Sequence, residues 1–288
     1  MLGVYNVLKP TGWTSSDVVV KIKHMVREYT GDKKIKVGHL GTLDPAGSGV
    51  LPVCVGSATK LFDYYVGMDK IYRTTFTFGK STDTLDSYGA VVESCSNIPN
   101  IHDIKIALES FKGEIMQVPP KYSRISVGGV RAVDAVRKGI ELDIKARKVK
   151  VYSIDILNYN SGVLTLNIHC SGGTYIRSIC RDLAEMLGSC AYMSSIIRLQ
   201  NKSFCIENAK TLDEINSDIV GTIITLDKLF ENMQKVNLTS DKEKKLLNGV
   251  RIAKQGINGD YIIVIEDKIF GICADVKDYT EVKVRLWN

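Results

Sequence analysis

Between Ser15 and Tyr29, in SSDVVVKIKHMVREY, apolar residues fall at Val18, Val19, Ile22, Met25 and Val26, the spacing of one helix face, with basic residues opposite. A capping residue at Ser15 or Ser16 is expected to start this helix. A second stripe, Ile101, Ile104, Ala107, Leu108 and Phe111, predicts another helix, closed by Gly113. Elsewhere the pattern turns to strand. KIYRTTFTFGKSTDTLDSYG, residues 70–89, opens with Tyr, Thr and Phe in strand-like succession and ends in a polar loop. KVYSIDILNYNSGVLTLNIHC reads as two strands about an Asn-Ser-Gly turn, followed by an SGGTY loop and a helix from about Tyr175 to Leu187. Strands and helices so interspersed make a mixed α/β or α+β domain. Beyond the less patterned stretch 208–234, VNLTSDKEKKLLNGVRI, YIIVIEDKIFGICADV and EVKVRLWN predict a short helix and close-set strands. A β-rich module of about fifty residues would be marginal alone and should pack on the main domain.

The 288 residues suit one large domain, or a large one with a small one. No run of about 18 apolar residues suggests a membrane span. The opening MLGVYNVLKPTGWTSSD lacks the charged segment and long apolar core of a secretory signal, so a cytoplasmic protein is expected. Seven cysteines form no CxxC pair and accompany four histidines, which predicts reduced core thiols and no metal site. The net charge of +6 fits a polyanionic partner without demanding one. Its distribution says more: from Lys121 to Lys150, Lys and Arg far outnumber Asp134, Glu141 and Asp143. Such a block either attracts phosphates or is a solvated face.

There is no GxxxxGK[ST] phosphate loop, HExxH or GxSxG elbow. What stands out is KIKVGHLGTLDPAGSGVLPVCVGSATK, residues 34–60, where five glycines and two prolines between Gly38 and Gly56 surround one acid, Asp44. Pro45 biases Asp44 towards extended backbone, which would turn its carboxylate out of the loop. An Asp before Pro is more often a turn-former than a catalyst. A single carboxylate can nevertheless act as a covalent nucleophile if a cation holds it and water is kept out. GGTYIRSICRDL offers Arg177 as that cation, since a guanidinium can donate two parallel bonds to a carboxylate. On sequence alone Arg177 is equally a surface helix residue.

GHLGTLDPAGSGVLPVCVGSATK, KIYRTTFTFGKSTDTLDSYG, PPKYS and GGTYIRSICRDLAEMLG occur in an order and spacing that resemble the bacterial TruB family of tRNA pseudouridine synthases. That family isomerises the uridine at position 55 in the T arm of tRNA. The resemblance runs from YNVLKPTGWTSSD to about residue 205. It is weaker in the tail, where LTSDKEKKLLNGVRI looks like the start of the family's PUA-related module. It implies an α+β fold with a mixed, largely antiparallel central sheet and flanking helices. Residues 1–233 would be the catalytic domain, with a thumb-like RNA-binding insertion at about 115–148, and 234–288 a PUA-like RNA-binding domain.

By the same resemblance Asp44 is the nucleophile, Tyr72 stacks on the uracil and takes part in proton transfer, Arg177 pairs with Asp44, and Asp86 completes that network. His39 would enter the space left by flipped nucleotides, and Ile196 would pack on the base. Lys121, Tyr122, Arg124, Arg131, Arg137, Lys138, Arg147 and Tyr175 are the implied RNA contacts. The reaction gains and loses no atoms, so no cofactor and no metal is implied. The implied partner is the T arm of tRNA, with no guide RNA and no membrane, and a monomer is expected. The chain departs from the family at Ser123-Arg124, where Ser-Ala is common, and at Ile196-Ile197-Arg198, where LRR is common. A second reading, from another class, is an RNA-binding tRNA-folding protein whose main role is independent of catalysis.

Overall fold

The computed structural model describes residues 2–123 and 125–287. The chain opens with strand β1 (Gly3–Lys9), helix α1 (Ser15–Thr30) and strands β2 (Val37–His39) and β3 (Gly47–Val55). A short helix α2 (Phe62–Val66) leads to β4 (Lys70–Phe78), the hairpin of β5 (Lys80–Thr82) and β6 (Val91–Ser94), then α3 (Ile101–Glu109) and β7 (Gly113–Gln117). The hairpin β8 (Ser126–Val127) and β9 (Val130–Arg131) and helix α4 (Ala132–Arg137) precede β10 (Arg147–Asn160), β11 (Val163–Cys170), α5 (Ile176–Met186) and β12 (Ala191–Asn201). The remainder holds β13 (Phe204–Cys205), α6 (Leu212–Ser217), α7 (Leu226–Leu229), β14 (Lys235–Asn237), α8 (Ser240–Leu247), β15 (Ile252–Ala253), β16 (Asp260–Ile265), β17 (Lys268–Val276) and β18 (Tyr279–Arg285).

Helix α1 buries Val18, Ile22, Met25 and Val26, the face its spacing predicts. Its cap is Thr14, where Ser15 or Ser16 was expected. Thr14 Oγ1 accepts from the Asp17 amide at 3.0 Å and the Thr14 amide donates to Asp17 Oδ2 at 2.8 Å, a reciprocal capping box. Ser15 cannot cap because its hydroxyl is engaged elsewhere, as described below. Helix α3 buries Ile104, Ala107 and Leu108, and Phe111 is buried beyond its end. Its C-cap is Ser110, and Gly113, expected to close it, begins β7.

Among the described residues nine strands form one sheet along the path β1-β3-β12-β4-β11-β10-β7, with β2 beside β3 and β13 beside β12. Every pairing is antiparallel except β3 with β12, so the sheet is mixed and largely antiparallel, and the fold is α+β. One face packs on α1, α3 and α5 through Val7, Leu51, Phe76, Leu166, Ile22, Leu108 and Ile179. At the β1–β3 end the other face presents Val4, Val50 and Cys54 to Phe230, Ile262, Ile272 and Val284. The C-terminal five-stranded sheet, in the order β14-β16-β17-β18-β15, therefore shares a core with the main body. It also has a core of its own around Ile252, Tyr261, Ile263 and Phe270. This double burial answers the expected marginal size of the module.

Strand β3 is not announced by the hydrophobic pattern, because Gly49 and Pro52 interrupt it. Pro52 brings no amide hydrogen, yet its carbonyl accepts from the Leu40 amide at 2.9 Å and holds the returning chain. Gly49 lies opposite Arg198 in the parallel pairing, with φ +103°, and a Cβ there would stand 2.3 Å from the Arg198 carbonyl oxygen. Among the described residues no helix is long and apolar enough to cross a membrane.

The contrast with Gly12, which has φ +88° but nothing within 4 Å of an added Cβ, makes a test. Gly12→Ala should cost about 1–2 kcal/mol in urea unfolding, the left-handed penalty alone. Gly49→Ala should cost about 3 kcal/mol or more, because overpacking adds to that penalty. Equal losses would refute the close-approach argument.

Candidate active site

Asp44 lies in the turn between β2 and β3, and the backbone of this turn is held bond by bond. The Leu40 carbonyl accepts from Asn201 Nδ2 at 3.0 Å. The Gly41 and Thr42 carbonyls accept from Arg198 Nη2 and Nη1 at 3.1 and 3.2 Å. Ser15 Oγ donates to the Leu43 carbonyl and accepts from the Leu43 amide, both at 2.8 Å. The Asp44 carbonyl accepts from the Gly47 amide at 3.0 Å, and the Pro45 carbonyl from the Gly12 amide at 2.8 Å. Every residue from 40 to 45 is thus tied to β12, α1, the loop before α1 or its own turn, which leaves little backbone freedom.

Arg177 sits one residue into α5, after the Gly172-Gly173 turn, and its side chain is 6% exposed. Its Nη2 meets Asp44 Oδ2 at 2.7 Å and its Nη1 meets Asp86 Oδ2 at 3.4 Å. The same two nitrogens donate to the carbonyls of Tyr122 and Thr84 at 3.0 and 2.9 Å. Asp86 is itself anchored, its Oδ1 accepting from Thr84 Oγ1 at 2.7 Å and from the Tyr88 amide at 3.1 Å. Asp86 is 8% exposed and Asp44 41%, so the guanidinium is clamped from behind by one acid and offers the other to solvent.

The open side of Asp44 faces a cavity of about 240 Å³ lined by Tyr72, Ile196, Tyr175, Phe62, Lys70 and Ser123, among others. Tyr72 and Lys70 share the inner face of β4, where residues 70, 72, 74, 76 and 78 are all buried. Tyr72 is cross-strand partner of Arg198, and its phenol is raised by burial and drawn back by the Arg198 charge. Tyr175 caps α5 and is fixed by Gln117, whose Oε1 accepts from its amide at 2.8 Å and whose Nε2 donates to its carbonyl at 3.1 Å. Ser123 has a buried hydroxyl without a hydrogen-bond partner among the described residues. A larger cavity, about 620 Å³, lies between the β5–β6 hairpin and residues 118–144, but Asp44 and Arg177 are not part of its wall.

Three buried cations surround the turn. Arg198 is unexposed and also donates from Nε to the Val50 carbonyl at 2.7 Å. Lys9, unexposed, donates to the carbonyls of Pro10 and Trp13 at 2.8 and 2.6 Å. Lys70 donates to the carbonyls of Tyr65, Val66 and Met68 at 3.2, 3.1 and 2.5 Å. Burial lowers both lysines to about 8, although the Asp44 charge partly offsets this for Lys9.

Of the residues singled out in the sequence, Asp44, Tyr72, Arg177, Tyr175 and Ile196 meet at one cavity, and Asp86 stands directly behind Arg177. His39 ends β2 beside the cavity mouth, its ring 6.3 Å from that of Phe62 and its Nδ1 accepting from the Gly41 amide at 3.3 Å. Tyr122 reaches the site through its carbonyl, and its hydroxyl lies 3.5 Å from Asp83 Oδ2. Lys121, Arg131, Arg137 and Lys138 are exposed between β7 and β10, Lys121 lying 3.9 Å from Glu141. Arg147 is half-buried, and its guanidinium stacks on Tyr175 at 4.9 Å and donates to the Gly173 carbonyl at 2.5 Å. Arg124 lies outside the described residues.

The sequence gives no site role to Ser15, Lys9, Lys70, Arg198 or Gln117, although Ser15 is a candidate cap and Arg198 belongs to the IIR stretch. A signal existed for two of them, since strand alternation places Lys70 with Tyr72 and Arg198 with Ile196 on the inner face.

Residues 27–176 match the N-terminal domain of the TruB family pseudouridylate synthases. A protein of Clostridium kluyveri named tRNA pseudouridine synthase B is 40% identical over 94% of this chain and 91% of its own length. Proteins of the same name from Clostridium tetani and Caldanaerobacter subterraneus are 37% and 43% identical over 96% and 86% of this chain, and 97% and 85% of their own. A chain in the crystal structure of a Cbf5-Nop10-Gar1 complex superposes with a TM-score of 0.73 over 99% of this chain and 85% of that one, at 24% identity, a likeness of fold. With a carboxylate held by a buried arginine at a cavity that Tyr72 also lines, and with such similarity to these relatives over nearly its whole length, this protein belongs to the TruB family of pseudouridylate synthases.

Proposed function

We propose that the protein isomerises uridine 55 in the T loop of tRNA to pseudouridine, flipping the base into the Asp44 cavity and using Asp44 as nucleophile. The coarser statement, that it is an isomerase acting on uridine in tRNA, follows from the family and from relatives named tRNA pseudouridine synthase B. The observation that carries the finer reading is the Asp44–Arg177–Asp86 arrangement, in which one acid is locked and the other is presented to a cavity. The T-loop site rests on the family resemblance.

The reaction breaks the bond between the sugar and uracil N1, turns the ring, and joins the sugar to C5, with the C5 proton removed at the end. An anion is needed beside the nucleoside, and Asp44 is held there with one oxygen on Arg177. The base in the pocket would lie against Tyr72 and Ile196, an aromatic platform worth about 1–3 kcal/mol, which offsets about a few kcal/mol of unstacking. Ser123 Oγ is available as a hydrogen-bond partner for a uracil edge group. Lys9, Lys70 and Arg198 supply a fixed positive field that needs no rearrangement when charge develops. The exposed cations Arg131, Arg137 and Lys138 would lie along RNA phosphates, and residues 115–148 would act as a thumb beside the catalytic domain, with 234–288 as a second RNA-binding module.

Incubation with unmodified tRNA transcript in EDTA, followed by mass-spectrometric mapping, should find one pseudouridine, at position 55. Asp44→Asn should lower the rate by about 10³-fold or more and leave tRNA binding within about tenfold, since its phosphate contacts are elsewhere. Product elsewhere, or undiminished turnover in Asp44→Asn, would overturn the reading. Loss of turnover with tRNA refolding assistance retained in Asp44→Asn would identify a separate folding role.

The two lysines give opposite pH signs for stability and activity. Their folded values of about 8 lie below the ordinary 10.5, so between those limits the unfolded chain binds more protons, and these groups add stability as pH rises. The field at the cavity weakens over the same interval. Single-turnover conversion should therefore fall above about pH 8, and Lys70→Arg, which keeps a cation, should move the fall upward. A profile unchanged by Lys70→Arg would separate Lys70 from the chemistry.

A further inference from the structure

Away from the catalytic cavity, two cysteines from distant parts of the chain meet. Cys95 directly follows β6 and Cys190 directly precedes β12, and their Sγ atoms are 2.6 Å apart. The Cys190 amide donates to Cys95 Sγ at 3.0 Å, and Ser189 Oγ lies 3.5 Å from the same sulfur. The backbones are fastened through a shared residue: the Cys95 amide donates to the Gly79 carbonyl at 3.0 Å and the Gly79 amide to the Cys190 carbonyl at 2.9 Å. The contact is therefore built into the sheet and does not depend on rotamer choice alone.

The two thiols are unlike. Cys95 is half-exposed and Cys190 is buried. Burial acts to raise the Cys95 thiol, but hydrogen bonds from Cys190 and Ser189 outweigh it and bring the value down. Burial, with the neighbouring sulfur, pushes Cys190 up to about 11. An accessible sulfur with thiolate character beside a protonated partner is the arrangement in which peroxide oxidation is site-selective and is resolved within the protein.

We propose that Cys95 and Cys190 are an oxidisable dithiol, closed to a disulfide by hydroperoxides. The Cys95 thiolate attacks one peroxide oxygen, the O–O bond breaks, and a sulfenic acid forms with release of hydroxide or alkoxide. The Cys190 sulfur then attacks Cys95 Sγ, the S–O bond breaks, and hydroxide leaves and takes up the Cys190 proton as water. In sum two thiols and one hydrogen peroxide give one disulfide and two waters, with two electrons passing from sulfur to peroxide. The bond joins the root of the β5–β6 hairpin, whose loop carries Asp86, to the start of the strand that carries Ile196 and Arg198. It secures the rear of the Arg177 clamp without entering the cavity.

The test treats the full-length reduced protein with stoichiometric hydrogen peroxide. Two of the seven thiols should disappear, peptide mapping should recover a Cys95–Cys190 cross-link, and the unfolding midpoint should rise by about 4 °C or more, reversibly with dithiothreitol. In Cys190→Ser, Cys95 should be trapped as a sulfenic acid that dimedone labels. In Cys95→Ser, Cys190 should stay unmodified and the midpoint should not move. Over-oxidation of Cys95 in the native chain with Cys190 still free, or oxidation of Cys190 in Cys95→Ser at the native rate, would overturn the proposal. All readouts are independent of the tRNA reaction.

Discussion

Arg198 brings a guanidinium into a position with no solvent exposure and, among the described residues, no ion-pair contact with a carboxylate. A buried cation is tolerable only if its donors are taken, and an irregular loop can be buried only if its carbonyls are taken. Here each requirement satisfies the other: Arg198 binds the carbonyls of Gly41, Thr42 and Val50, on both sides of the Asp44 turn. The parallel pairing of β3 with β12 brings Arg198 to that place, and Gly49 allows the two backbones to approach. The position of Asp44 therefore depends on a sheet pairing, and the loop's own propensities are secondary.

The same solution is repeated with Lys9 and Lys70, each solvated by carbonyls where an acid would otherwise be expected. A carboxylate partner would have cancelled the charge locally. Carbonyl dipoles disperse it only in part, so a positive potential remains at the cavity, beside the Asp44 carboxylate and in a protein whose family acts on tRNA, a polyanion. Keeping these charges buried has a cost, visible in the lowered lysine values. Sites of function are where such local conflicts are expected to persist.

The helices and the tail module could be read from periodicity because each has one apolar face: α1, α5 and the strands β16–β18 fall where the pattern places them. Asp44 was marked by its glycines and prolines, and Arg177 by the fork of donors a carboxylate needs. Strand β3 was hidden, because the glycine that permits the close approach to β12 also breaks the hydrophobic run. Ser15 was read as a cap, a role its residue type suggests, whereas its hydroxyl closes on Leu43 across 28 residues. The family resemblance implies an RNA contact for Arg147, and its stacking on Tyr175 is a separate feature that only the tertiary structure reveals. What escaped the sequence was long-range polar satisfaction, which has no period and no local signature.

Asp44 and Asp86 contact the same guanidinium, and their surroundings divide the work. Asp86 accepts from Thr84 and from a backbone amide as well as facing Arg177, so its lone pairs are largely committed and it is nearly buried. Asp44 has Arg177 as its ion-pair partner through one oxygen and remains 41% exposed, so its second oxygen faces the cavity. Arg177 is shared between Asp86, the Thr84 and Tyr122 carbonyls and Asp44, so it meets Asp44 through one nitrogen and not as a two-bond fork. The buried acid and the two carbonyls thus keep the arginine's hold on the exposed acid partial, and this asymmetry lets a single ion pair position a carboxylate without consuming it.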